Sequence, residues 1–302
     1  MRLLKPIVAL SSVAGVTTAT PLGQRQFPAI TDADILNYAL TLEHLEDNFY
    51  REGLANFTAA QFAAAGYDAS FYHNLREVSS DETAHVKFLT QALTAAGATP
   101  VAECTYAFGV TSVDAFVATA AILEGVGVSA YLGAAADIIN KDYLTAAGSI
   151  LTVESRHSAY LRSSLKESPF AQPFDAPLSI NNVYTLAAGF ITACPSSNPV
   201  LPVKAFPSLT VDPKTPKPIK AGSTVTLLTS GDTMYPREKT FYAAFISVAG
   251  PTFVVATPAG DGFCVTIPKG FSGQTYAVLT TCNETVTDDT TAAGPAIIEI
   301  TE

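Results

Sequence analysis

The sequence predicts an α + β chain of two domains: a four-helix bundle with a short fifth helix, followed by a C-terminal antiparallel β-sandwich. Three observations predict it. Apolar residues recur with helical spacing from residue 31 to about 193, whereas beyond residue 223 short runs of Val, Ile, Thr and aromatics alternate with Gly, Pro and Asp turns. Between the two regions, Pro195 to Pro218 holds seven prolines in 24 residues, which no helix tolerates. Helices first and strands afterwards imply separate units rather than one interleaved α/β sheet. The 302 residues are 48% hydrophobic and 15% charged, enough apolar material for two cores.

The expected boundaries are a secretory signal over 1–20, the bundle over 31–198, a proline-rich linker over 199–218, and an Ig-like sandwich over 219–302. Arg2 and Lys5 precede a short apolar run, Pro6 to Val16, and Thr17-Thr18-Ala19 supplies small residues for cleavage. A membrane anchor would need about 20 apolar residues, so this run predicts an extracellular or cell-wall protein rather than an anchored one. Asn56-Phe57-Thr58 and Asn283-Glu284-Thr285 are glycosylation sequons consistent with secretion. The four cysteines lack metal-binding spacing and fall two to each domain, so disulfides Cys104–Cys194 and Cys264–Cys282 are expected. A formal charge of −10 argues against nucleic acid or an anionic membrane surface as partner.

Taken in order, Thr31 with Asp34 three residues on reads as a capping box, and Ile35, Leu36, Ala39, Leu42 and Phe49 carry a first helix to about residue 53. A second helix spans about 69–96 and stops at Gly97. Residues 98–112 are long enough to cross a bundle. Ser112 or Asp114 opens a third helix to about Asn140, a fourth runs to about Lys166, and a fifth covers 178–193. Ala115 to Ile139 is nearly all apolar, yet a membrane reading would place Glu124 at mid-depth, where a carboxylate is costly. A bundle-core helix, apolar all round, explains it better. The predicted strands are 224–229, 241–248, 253–257, 264–267, 275–281 and 296–301.

The chemistry lies in two Glu-x-x-His pairs, Glu82/His85 and Glu154/His157, whose i, i+3 spacing puts carboxylate and imidazole on one helix face. Two more acids, Glu43 and Glu124, interrupt apolar stripes on the first and third helices. Each has a tyrosine seven residues on, Tyr50 and Tyr131, so each half of the bundle repeats lone Glu, Tyr, then Glu-x-x-His. Four carboxylates, −4 in all, are neutralised by two divalent cations, and two neutral imidazoles complete the set without added charge. Tyr50, Tyr131, Asp81 and Arg156 are candidate supports: Asp81 for His157, Arg156 for Asp81 or another acid, the tyrosines for carboxylates opposite. Glu46 and Asp47 are assigned to a solvated rim, and His44 and His73 to the surface.

At these residues the chain resembles the ferritin-like superfamily of di-iron carboxylate proteins, most closely the secreted fungal ferritin-like proteins described as stress-response or nutrient-regulated, akin to plant desiccation-related proteins. The resemblance is carried by Leu36 to Glu46, Asp81 to His85, Leu123 to Ala134, Val153 to His157 and Cys194 to Pro199, and it covers about residues 31–205. It implies an up-down bundle with one long crossover and two iron ions (manganese the alternative) held by Glu43, Glu82, His85, Glu124, Glu154 and His157. Superfamily members store iron, oxidise it, reduce peroxide or hydroxylate substrates. The expectation for this chain is ferroxidase-like or peroxide-scavenging chemistry on O₂ or peroxide, or else a non-catalytic surface scaffold. Homo-oligomers are compatible with either. The C-terminal region has no His and the chain no Trp, so that domain is expected to face the cell wall or a protein partner, with Tyr235, Tyr242 and Tyr276 the candidates for stacking on sugar.

Overall fold

The computed structural model describes residues 30–230 and 239–301; the predicted signal, 1–20, and Tyr235 lie outside them. Helix α1 (Asp32–Asn56) starts at Thr31, whose hydroxyl accepts from Asp34 N while the Asp34 carboxylate accepts from Thr31 N at 2.9 Å. A short α2 (Ala59–Ala64) leads into α3 (Ala69–Ala95), capped by Asp68. Residues 97–112 cross the bundle. Then α4 (Val113–Ala134) is capped by Ser112, α5 (Lys141–Ser164) by Asn140, and α6 (Ile180–Ala188) by Ser179. The helices α1 and α3 pack as one pair, and α4 and α5 as the other.

The segment Val113–Asp137 is long and apolar enough to cross a membrane, but 67% of its most apolar stretch is buried inside the protein. It is the central helix of the bundle, packed through Phe116, Val117, Ala120 and Leu123. At Gly133 another stretch of backbone packs directly against it: a Cβ there would collide with the backbone oxygen of Leu178. Gly133→Ala must therefore push a backbone segment aside, and is expected to cost roughly 2–3 kcal/mol in urea unfolding. An unchanged midpoint would contradict that packing.

Several small elements go beyond what the sequence predicts. Besides α2, the crossover contributes β1 (Thr105–Tyr106), which pairs with β2 (Ile191–Ala193) after α6, and the disulfide Cys104–Cys194 closes the same junction. The predicted linker carries β3 (Leu209–Val211) and so belongs to the β-sheet.

The remaining strands are β4 (Thr224–Thr229), β5 (Phe241–Phe245), β6 (Thr252–Ala259), β7 (Gly262–Thr266), β8 (Gly273–Thr280) and β9 (Thr291–Ile300). They form one antiparallel sheet in the order β3-β4-β7-β6-β5-β8-β9. Strand β6 pairs with β5 through its first half and with β7 through its end, so the sheet curls around a core of Leu227, Phe245, Leu279 and Ile298. Gly294 N donates to Pro207 O at 2.9 Å, bringing β9 beside the segment entering β3 and nearly closing a barrel.

The expected Cys264–Cys282 disulfide is not formed; both thiols are free. Cys264 lies in β7 and Cys282 just beyond β8, with β6 and β5 between them. Three strand spacings come to roughly 14 Å, against about 7 Å for the widest bridged Cα pair.

The β-domain is docked on the bundle. Tyr276 on β8 is 2% exposed and donates to Gly125 O at 2.8 Å, and Gln274 Nε2 donates to Ile122 O at 3.1 Å. Arg162 on α5 makes a bidentate pair with Glu299 at 2.8 and 2.9 Å. Tyr276 is thus part of the interface and not a surface for stacking on sugar.

Candidate metal centre

The two pairs α1–α3 and α4–α5 each bring one lone glutamate and one Glu-x-x-His to the middle of the bundle. Glu43, Glu82, Glu124 and Glu154 are all 0% exposed; His85 and His157 are 9% and 7% exposed. Their positions fall into two overlapping groups, Glu43, Glu82, His85 and Glu154, and Glu82, Glu124, Glu154 and His157, with one potential ligand atom of each residue within 4.8 Å of the others. Glu82 and Glu154 belong to both groups.

His85 Nδ1 lies 3.2 Å from Glu43, 3.2 Å from Glu82 and 3.4 Å from Glu154. His157 Nδ1 lies 3.1 Å from Glu82 and 3.2 Å from Glu124. One N–H donates one good hydrogen bond, so each imidazole leaves most of the facing oxygens unsatisfied. Glu43 Oε2, Glu82 Oε1 and both oxygens of Glu154 have no hydrogen-bond partner, and among the described residues no Lys or Arg pairs with any of the four acids. Buried carboxylates in this state are met either by a cation or by protons. Acidic oxygens and imidazole nitrogens at mutual ligand distance suit a divalent transition metal.

Without a cation the charge is relieved by protons. Burial, followed by repulsion from neighbouring carboxylates, holds Glu154 well above the usual carboxylate range. Burial lifts Glu82 to about 7 against the opposing pull of both histidines. Hydrogen bonds and attraction from Glu124 and Glu82 outweigh burial at His157 and raise it to about 11; His85 is raised in the same way.

Residues 31–167 match the family model for the ferritin-like domain. This region is a ferritin-like domain. The chain is also similar to protein rds1 of Schizosaccharomyces pombe, 27% identical over 178 residues, a match spanning 59% of this chain and 44% of that protein. It therefore covers less than half the length of that relative.

Around the ferritin-like centre the supports cross between halves. Tyr50 of the first half donates to Glu124 of the second, and Tyr131 of the second donates to Glu43 of the first. Burial, reinforced by these carboxylates, raises both phenols, so both stay protonated donors. Asp81 Oδ2 lies 3.2 Å from His157 Nε2 and fixes the ring with Nδ1 toward the cluster.

Other assignments change. Arg156 is exposed and makes no ion pair among the described residues; it lines a cleft of about 430 Å³ between the two domains. Asp47 is buried, accepting from Thr83 at 2.6 Å and Arg51 at 2.9 Å. His44 is half-buried, its Nε2 3.2 Å from Val101 O in the crossover, while His73 is exposed. Glu46, expected at the rim, is 4% exposed, and its carboxyl is pushed well up by burial and by Glu154, Glu82, Glu124 and Glu43 in turn. Its helix wheel position, one turn beyond Glu43, is the signal that could have found it. The run Glu46-Asp47-Asn48 disguises it as a polar edge.

Proposed function

We propose that this chain is a secreted dimetal-carboxylate protein in which Glu43, Glu82, His85, Glu124, Glu154 and His157 hold two iron ions, with manganese the alternative metal. Its substrate would be O₂ or peroxide in a ferroxidase-like oxidation. The observation that supports this reading is the set of buried carboxylate oxygens that lack a hydrogen-bond partner, with no Lys or Arg paired to them among the described residues. Bound there, iron would supply one-electron chemistry toward O₂ or peroxide. The chain's own part is to exclude water with the apolar walls of α1 and α4, to hold Glu124 and Glu43 through Tyr50 and Tyr131, and to orient His157 through Asp81.

The second reading is a non-catalytic extracellular or cell-wall scaffold, with the β-domain presenting a surface to a wall or protein partner. The firm docking of that domain through Tyr276 and Arg162 favours it. Asn56 and Asn283 are exposed, as glycan attachment requires.

Metal analysis of protein recovered from culture medium separates the readings. Two iron or manganese ions per chain are expected, falling to fewer than one in Glu82→Ala and Glu154→Ala, because each residue serves both positions. Metal-free wild-type protein that cannot be reloaded with Fe²⁺ would exclude the dimetal centre. With metal bound, O₂ uptake on adding excess Fe²⁺ marks an oxidase, and its absence marks a scaffold.

A further inference from the structure

Glu46 follows Glu43 by three residues on α1, and Gly127 follows Glu124 by three on α4. The two halves of the bundle share the lone glutamate and the tyrosine seven residues on, but at the +3 position one half carries a carboxylate and the other has no side chain. The structure brings these two differing positions together. A Cβ on Gly127 would lie 3.2 Å from Glu46 Oε1 and 2.8 Å from Glu154 Oε2. Glycine thus leaves the space that the Glu46 carboxylate occupies beside Glu154, and a side chain there would contest it.

The Glu46 carboxylate has no hydrogen bond or ion pair among the described residues, although the residue is 4% exposed. The charged form of a buried acid with no donor, set against four others, is unfavourable unless a cation meets it. Asp47, its neighbour, shows the contrast: Thr83 and Arg51 satisfy it on the outer side of the same helix.

We propose that Glu46 is a fifth carboxylate ligand of the dimetal centre, approaching beside Glu154 through the gap that Gly127 leaves open. This rests on the dimetal reading above. Its consequence is electrostatic. Four carboxylates balance two divalent ions, and a fifth leaves one negative charge over, which is balanced when one of the two ions is trivalent. Glu46 therefore favours the more oxidised pair and lowers its reduction potential relative to a site with six protein ligands.

The test uses the full chain, stripped of metal and titrated anaerobically with Co²⁺, whose visible spectrum reports coordination number. Wild type is expected to bind two ions. Glu46→Gln keeps the shape and removes the charge; it should still bind two, but one of them 10- to 100-fold more weakly, with stronger visible absorption as a ligand is lost. Gly127→Ala should weaken the same ion by crowding Glu46 and Glu154, although alanine is the better helix former and does not harm the metal-free helix. Loaded with iron, Glu46→Gln should show a higher midpoint potential than wild type. The metal-free Glu46→Gln protein should melt no lower than wild type, since a neutral amide of the same shape replaces a buried acid that makes no hydrogen bond.

If Glu46→Gln matches wild type in affinity and Co²⁺ spectrum while Glu154→Ala loses metal, Glu46 is not a ligand and the dimetal reading stands. A metal-free Glu46→Gln protein that melts well below wild type would make the residue structural and likewise overturn the ligation. Wild-type protein that binds no Co²⁺ or Fe²⁺ overturns both.

Discussion

Replacing Cys104 and Cys194 together by alanine is expected to lower the stability of the metal-free protein by about 4–5 kcal/mol, the chain-entropy value for a closed loop of this length. The two cysteines are 90 residues apart, with α4, α5 and α6 between them. Few other contacts restrain that loop in the unfolded chain, so the disulfide acts mainly there. In the folded protein the junction also rests on the β1–β2 pairing and on Asn198, which accepts from Ala102 N and donates to Ala102 O, both at 2.8 Å. On the other side, Asn37 accepts from Val101 N at 2.8 Å and donates to Thr99 O, fastening the crossover to α1. These bonds should hold the native conformation of the double variant, so metal stoichiometry is expected to persist while the urea midpoint falls. A loss below about 1 kcal/mol would mean that the unfolded chain is already compact around this loop.

The folding of the bundle is legible in the sequence because its signals are local. The Thr31–Asp34 capping box, apolar stripes and the Gly97 stop are read within a few residues, and the i, i+3 rule carries Glu82/His85 and Glu154/His157 to one face without knowledge of the tertiary structure. The buried acids are recognisable for a physical reason: an acid amid apolar neighbours on a helix must be satisfied by something. That criterion misses Glu46, because Asp47 and Asn48 beside it give the local appearance of a wet edge. Comparing the two halves would expose it, since the place equivalent to Glu46 is Gly127. Nonlocal features are not legible. Assigning two cysteines to one domain says nothing of strand order, and the order β7-β6-β5-β8 is what separates Cys264 from Cys282. Likewise Leu209–Val211 sits among prolines that read as linker, and becomes a strand only because β4 offers it an edge. Tyr276 alternates correctly along β8, yet its outward face is covered by α4, which no strand pattern could announce.

Metal-free and metal-loaded protein are expected to respond to pH in opposite senses. In the metal-free chain Glu82 is raised from 4.5 to about 7 and His157 from 6.5 to about 11; Glu46, Glu154 and His85 are raised as well. A raised folded value means that the folded state holds protons the unfolded chain has released. The resulting stabilisation is complete below the unfolded value and is lost as pH climbs through the folded one. For Glu82 the loss runs from about pH 4.5 to 7, and for His157 it continues from 6.5 to about 11. Melting temperature of the stripped protein should therefore fall steadily between pH 5 and pH 9. The total loss should reach several kcal/mol, at about 1.4 kcal/mol for each pH unit that separates a group's folded and unfolded values. Metal binding demands the opposite protonation, with carboxylates ionised and imidazoles neutral, so bound metal competes with those same protons. Saturating Fe²⁺ under anaerobic conditions should raise the melting temperature little at pH 5 and strongly at pH 8. Calorimetry at matched pH, with and without metal, reads both slopes in one series. A stripped protein whose stability is flat or rises over pH 5 to 9 would show that the cluster does not hold these protons when folded.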